Sequence, residues 1–189
     1  MINRNALKNE LVSIITPSYN SQAYISQTIE SILAQTYSKW ELLITDDCST
    51  DQTIEIIKSY QKKDLRIRLF LLDKNQGAGV ARNNSIKEAN GRYIAFCDSD
   101  DLWIPEKLKI QIDFIAKSKS PLIFSSYNII KQSGGYLKTK YAKSQVTYSQ
   151  MLAYNYIGCL TVLYDSKKIG KRYFSEIRKR QDYAMWLTI

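Results

Sequence analysis

Along its first two-thirds the chain alternates short apolar, β-branched runs with stretches whose apolar residues recur at helical spacing. Leu11 to Thr16 is the first run, ending at Pro17, and it predicts a buried strand. Ser21 is placed to cap a helix that carries Ile25, Ile29, Ile32 and Leu33 on one face. Trp40 to Thr45 predicts a second strand, broken by Asp46-Asp47-Cys48-Ser49, and Thr50 or Asp51 can cap a helix with Ile54, Ile57 and Tyr60 inward. Arg66 to Leu72 reads as a third strand and Ala78 to Asn90 as a third helix closed by Gly91. Tyr93 to Cys97 is a fourth strand, and Pro105 opens a helix bearing Leu108, Ile112 and Ile115.

That strict alternation of strand and helix predicts an α/β fold, with a mostly parallel central sheet flanked by helices. In such sheets ligands bind beyond the carboxyl ends of the strands. Tyr19-Asn20, Asp46-Asp47 and Asp98 to Asp101 all fall at those ends. Beyond Pro121 the pattern loosens. Leu122 to Ile130 reads as a strand, Gly134-Gly135 as a turn, Thr147 to Asn155 as a short helix and Gly158 to Tyr164 as a further strand. The last residues, Ala184 to Ile189, lie inside an amphipathic pattern with no helix stop, so the second half is expected to be truncated.

Histidine is absent from the 189 residues, which removes Ser-His-Asp and Cys-His nucleophiles and His-ligated zinc at one stroke. Any general base must then be a carboxylate, a lysine or a tyrosine. Cys48, Cys97 and Cys159 are odd in number and scattered, which favours a reducing cytoplasm over a disulfide framework. No apolar run reaches membrane-spanning length and no signal peptide opens the chain. The net charge of +9 is concentrated between Lys131 and Arg180, including Lys138, Lys140 and Arg178 to Arg180. Such a face can meet an anionic membrane or a phosphorylated substrate, and a solvated surface explains it equally well. No nucleic-acid motif accompanies the charge, so no nucleic-acid partner is expected.

The densest chemistry is Phe96-Cys97-Asp98-Ser99-Asp100-Asp101, three carboxylates in four residues at the mouth of the fourth strand. Their mutual repulsion, roughly 1 kcal/mol or more per pair at an effective dielectric near 20, invites a hard cation such as Mg²⁺ or Mn²⁺. The plainer alternative is that Asp101 caps the helix at Pro105. Gly77-Ala78-Gly79-Val80-Ala81-Arg82 superficially resembles a dinucleotide fingerprint, but it follows the third strand and ends in arginine, which excludes that site.

Read in order, Val12 to Asn20, Ser31 to Tyr37, Glu41 to Asp51, Asn75-Gln76-Gly77 with Ala81-Arg82-Asn83, Asp98 to Asp101 and Gln181-Asp182-Tyr183 resemble a family 2 glycosyltransferase of the GT-A fold. The resemblance implies a metal-dependent, inverting transfer from a nucleotide-sugar, with bacterial surface polysaccharide as the product class. It implies a nucleotide-sugar-binding half over residues 1–120 and an acceptor-side half over 121–189, in a single domain. Pro17 and Tyr19 would line the nucleotide pocket, where an aromatic ring can stack on a base, although a turn tyrosine is as common.

Asp47, favoured over Asp46, would accept the ring N–H of uracil, a donor that cytosine lacks; helix capping is the simpler role for this segment. Arg82 would border the nucleotide, or else pair with the acidic cluster. Asp98 would face the ribose and Asp100 would ligate Mn²⁺ or Mg²⁺, with Asp98 and Asp101 close behind. Asp182 would be the base that takes the acceptor proton, its alternative being a helix cap. Trp186 reads as core rather than sugar site. Cys48 stands where the family often carries glycine.

The acceptor implied is a lipid-linked or free saccharide, met in the cytoplasm with peripheral contact at the inner membrane face. Two other readings stay open at this stage: a sugar nucleotidyltransferase, which Pro17 to Ser21 in place of a Gly-rich loop argues against, and a non-catalytic nucleotide-binding fragment of the same fold.

Overall fold

The computed structural model describes residues 9–118, 120–177 and 179–189; Arg178, one of the basic residues singled out above, lies outside them. Four strands, β1 (Val12–Ser18), β2 (Trp40–Asp46), β3 (Ile67–Leu71) and β4 (Tyr93–Phe96), run parallel. They are joined by α1 (Ile25–Leu33), α2 (Thr53–Gln61) and α3 (Ala78–Glu88), and α4 (Lys107–Lys117) follows β4. The rest of the chain contributes β5 (Leu122–Ile123), the hairpin β6 (Tyr127–Ile130) and β7 (Tyr136–Lys140), α5 (Tyr148–Ala153), β8 (Leu163–Asp165), α6 (Ser166–Ile169) and α7 (Gln181–Trp186). The sheet order is β3-β2-β1-β4-β8-β5, with β8 antiparallel to both neighbours.

Strand geometry explains the two cores. Successive side chains point to opposite faces, so a strand covered on both sides reads as one continuous apolar run. Ile14, Leu42, Ile44 and Ala95 pack with Ile29 of α1, Ile57 of α2 and Ile112 of α4. Ile15, Leu43, Ile94 and Phe96 pack on the other face with Ile86 of α3 and Met185 and Trp186 of α7. Trp186 is therefore core, its ring set 5.8 Å from that of Phe96. Helix α3 presents mostly small residues to the sheet, and Ser85 Oγ reaches both Thr45 Oγ1 and the Leu43 carbonyl. Small side chains let this helix sit close over β1 and β2.

Several local expectations change. β1 runs on through Pro17, because β4 pairs with β1 only as far as Ile15. The Ile15 carbonyl accepts from Cys97, so Pro17, two residues on, points its missing N–H past the end of β4. Ser21 does not cap α1 with its side chain; its Oγ pairs with Ser18 Oγ instead, at 2.9 Å. Asp51 does serve the start of α2, accepting from the Thr53 amide.

Gly91 is not a left-handed cap. A Cβ there would fall 2.6 Å from the Ser13 nitrogen, so glycine is required by close approach to β1. The run Leu122 to Ile130 divides into β5 and β6, and Gly158 to Tyr164 divides into a 3₁₀ turn at Cys159–Thr161 and β8. Pro105 precedes α4 without starting it. The turn at Gly134 (φ +86°) joins β6 to β7, as its glycines imply. Thr147 and Gln150 form a capping box at α5.

Candidate active site

The carboxyl ends of β1, β2 and β4 open into a cavity of about 210 Å³ whose lining includes Pro17, Tyr19, Asp47, Arg82, Asp98 and Asp100. Parallel register brings these residues together, since Ser18 sits opposite Asp46 and Ile15 opposite Phe96. The loops are then tied across the mouth. Asn20, in a left-handed turn, donates its amide to Ser49 Oγ and accepts the Thr50 amide on its side chain. Tyr19 is half exposed at the rim, with its ring unburied by the core.

The two aspartates that end β2 have different partners. Asp46 is fully buried and accepts from the Ser49 amide and hydroxyl. Asp47 accepts the backbone N–H groups of Gln76 and Gly77, each at 2.7 Å, one on each carboxylate oxygen. Gly77 adopts φ +91°, a conformation that aims this loop at Asp47. The carboxylate is thus fixed in orientation at the cavity wall, and each oxygen keeps a lone pair for a further donor. Cys48, directly after them, sits at φ +68°, which glycine would adopt without strain.

Arg82 projects from α3 to the carboxylate of Asp98, with Nη2 2.7 and 2.8 Å from its two oxygens. Its guanidinium carbon stands 5.1 Å from the centre of the Phe174 ring. Phe174 is held there by an exchange of hydrogen bonds with Asn83, whose Nδ2 donates to its carbonyl and whose Oδ1 accepts its amide. Burial pulls the Arg82 pKa down, but the charge of Asp98, with Cys159 and Asp182 behind it, carries it above the ordinary value. Arg82 thus borders the cavity and pairs with the acidic cluster.

Asp98 and Asp100 lie on the cavity, and the turn after β4 is closed by the Asp101 amide donating to the Asp98 carbonyl. Burial, and then the charges of Asp98 and Asp100, push the Asp101 carboxyl up to about 7. Asp101 makes no side-chain cap at α4. Among the described residues no three His, Cys, Asp or Glu side chains converge closely enough to hold a metal by themselves. The donor set fits a magnesium-like ion shared between one or two carboxylates and the phosphates of a ligand, rather than an all-protein cage.

Asp182 is on the first turn of α7, whose N-cap is Arg180 at φ +56° and makes no side-chain cap bond. The capping role is thus not taken by Asp182; its Oδ2 accepts from Asn155 Nδ2 at 3.4 Å. The neighbouring Gln181 packs on α3 so tightly that a Cβ on Gly79 would lie 2.5 Å from its side chain. That contact brings the start of α7 up to the start of the helix that carries Arg82. Phe174 and Asn155 were not singled out from the sequence, and Cys159 drew notice only as a scattered cysteine. The only signal for Phe174 is indirect, through Asn83 in the motif Ala81-Arg82-Asn83.

Comparison with known proteins follows the same geometry. Residues 13–174 match the family model described as Glycosyl transferase family 2. Over 180 residues the chain is 42% identical to the UDP-Glc:alpha-D-GlcNAc-diphosphoundecaprenol beta-1,3-glucosyltransferase WfgD of Escherichia coli, covering 95% of this chain and 69% of WfgD. It is 44% identical, over 95% of its length and 71% of the relative's, to the Bacillus subtilis protein TuaG, named for teichuronic acid biosynthesis.

Among solved structures, S. aureus TarS 1-349 in complex with UDP superimposes with a TM-score of 0.76 at 31% identity, covering 92% of this chain and 53% of that one. The chain thus spans about half of the solved TarS chain. With this match over most of its length, and with a mostly parallel sheet flanked by helices, the chain belongs to glycosyl transferase family 2 and has the GT-A fold.

Proposed function

We propose that the chain transfers a sugar from a UDP-sugar to a hydroxyl of a lipid-linked saccharide, with inversion at the anomeric carbon, during assembly of a bacterial surface polysaccharide. The observation that carries this reading is the cavity where Tyr19, Asp47, Arg82, Asp98 and Asp100 meet. Support for the donor comes from TarS, solved with UDP, and support for the acceptor from WfgD, named for a diphosphoundecaprenol substrate.

Each residue then has a physical task. Tyr19 offers a ring face to the base at the open rim. Asp47, immobilised by Gln76 and Gly77, accepts the uracil ring N–H with a lone pair that its backbone partners leave over. Asp98 faces the ribose while Arg82 keeps its carboxylate in place. Asp100 would hold Mn²⁺ or Mg²⁺, with Asp98 and Asp101 adding negative charge nearby. When bound, that ion supplies Lewis-acid neutralisation of the departing diphosphate. Asp182 accepts the proton of the attacking hydroxyl, on the face opposite the leaving group, and a single displacement inverts the centre. The basic surface at Lys138, Lys140, Lys179 and Arg180 suits peripheral contact with anionic lipid on the cytoplasmic side.

Calorimetric titration of UDP and GDP, each with and without Mn²⁺, tests the reading on wild type and Asp100→Ala. The expected result is UDP binding that needs Mn²⁺, exceeds GDP binding, and disappears in the variant. Tight GDP binding would reject the preference for a uridine donor, and metal-independent UDP binding would reject Asp100 as a ligand.

A further inference from the structure

Asp100 also borders a second and larger cleft, of about 550 Å³, between the start of α4 and β6. Trp103, Ile104 and Ile110 form one wall, and Tyr127 and Ile130 the other. Ile104, Ile110 and Ile130 are 62%, 57% and 45% exposed, so the cleft offers open apolar surface. The carboxylates of Asp100 and Asp101 share the lining, where Lys107 is the one cation among the described residues. Its Nζ lies 4.1 Å from the centre of the Trp103 ring and 2.6 Å from Gln111 Oε1. Among the described residues, no carboxylate forms an ion pair with it. Burial pushes its pKa down to about 7.

We infer that this cleft receives the lipid-diphosphate end of the acceptor, with Lys107 taking a phosphate oxygen and the apolar walls taking the first isoprenoid units. The inference rests on the glycosyltransferase reading above and specifies its acceptor. A purely apolar occupant would shut the ammonium away from water with only Gln111 and the Trp103 ring against it and no anion to pair with, which is costly. A free saccharide would leave the isoleucines uncovered. A diphosphate joined to an alkyl chain meets both demands at once. Because Asp100 lines both openings, the acceptor sugar can reach the donor cavity while its diphosphate stays at Lys107. From Ile130 the hairpin continues to exposed Tyr136 and Leu137 beside Lys138 and Lys140, an aromatic and basic edge suited to the lipid surface from which such a chain emerges.

Farnesyl diphosphate, farnesol and inorganic diphosphate are the probes, titrated calorimetrically in EDTA against wild type and Lys107→Met. Wild type should bind farnesyl diphosphate about tenfold or more tighter than either partial probe, the range of one charge-assisted contact. Lys107→Met should lose about that factor for farnesyl diphosphate and none for farnesol. The wild-type preference is informative even if the variant does not fold. Equal binding of farnesol and farnesyl diphosphate, unchanged binding by the variant, or no binding would each overturn the assignment. UDP is titrated with Mn²⁺ on the same samples. UDP binding without farnesyl diphosphate binding rejects the cleft alone, and the converse rejects the donor reading while the cleft stands.

Discussion

Arg82 meets Asp98 with a single guanidinium nitrogen, Nη2, while its Nε is buried without a partner. The pair holds one of three neighbouring carboxylates in check, so Arg82 acts as a resident counter-charge to the acidic turn. Arg82→Met should destabilise the protein by about 1–2 kcal/mol, less than a fully buried pair because Asp98 is partly exposed. Millimolar Mn²⁺ should recover part of that loss by replacing the missing positive charge. Thermal denaturation with and without Mn²⁺ measures both; a variant insensitive to Mn²⁺ would remove the cation from the acidic turn.

Asp182 caps nothing, so neutralising it should leave the fold intact. Asp182→Asn is expected to lower kcat on the order of 10²–10⁴-fold, the usual range for a lost general base. UDP affinity should stay within about twofold, since Asp182 is not among the residues lining the donor cavity. Single-turnover rates and UDP titration separate the two. A matching fall in UDP affinity would make Asp182 a donor ligand instead.

Gly79→Ala places a methyl group against the far end of Gln181. The helix itself gains up to about 1 kcal/mol from alanine, and a flexible side chain can yield, so the melting temperature should hardly move. Transfer should still drop about tenfold, because Gln181 must shift and Asp182 follows it. Equal activity in the variant would show that the base tolerates displacement of α7.

Asp101 makes stability depend on pH. Its carboxyl titrates near 7 when folded, above the ordinary 3.8, because of burial and the charges of Asp98 and Asp100. Between about pH 4 and pH 7 the folded state therefore holds the extra proton. Stability contributed by protonated Asp101 is complete below pH 4 and is lost as pH rises through 7. In chelator, Asp101→Asn should flatten this slope and exceed wild type above pH 7 by on the order of 1–2 kcal/mol, after allowance for partial exposure. Denaturant titrations at pH 5 and pH 8 decide it, and parallel slopes for both proteins would contradict the assignment.

Most of the first half was legible because buried parallel strands and amphipathic helices write two different periods into the chain. Ile14, Leu42, Ile44 and Ala95 needed no tertiary information to be called interior. Asp47, Asp98 and Asp100 were drawn to one edge by topology alone, whereas Arg82 came only with the family resemblance. The second half was harder for a physical reason: β5 and β8 are two and three residues long, too short for any period to declare itself. Lys107 gave no signal, since a lysine in a first helical turn normally faces water. Phe174 lies in a segment with no period of its own, and it is buried against Phe96 while Asn83, ninety-one residues earlier, holds both its backbone groups. Ser21 looked like a cap because its residue type is right, but Ser18 offered its hydroxyl a nearer partner.

β8 fills the gap between β4 and β5, although it is made some forty residues after β5. During synthesis, then, β4 must wait with one apolar edge open until residue 165 has left the ribosome, and β5 waits beside it for the same strand. A nascent chain stalled near residue 120 would expose that edge to any passing strand, making it a natural target for chaperones and proteases. The six-stranded sheet is thus closed up only when this three-residue strand arrives.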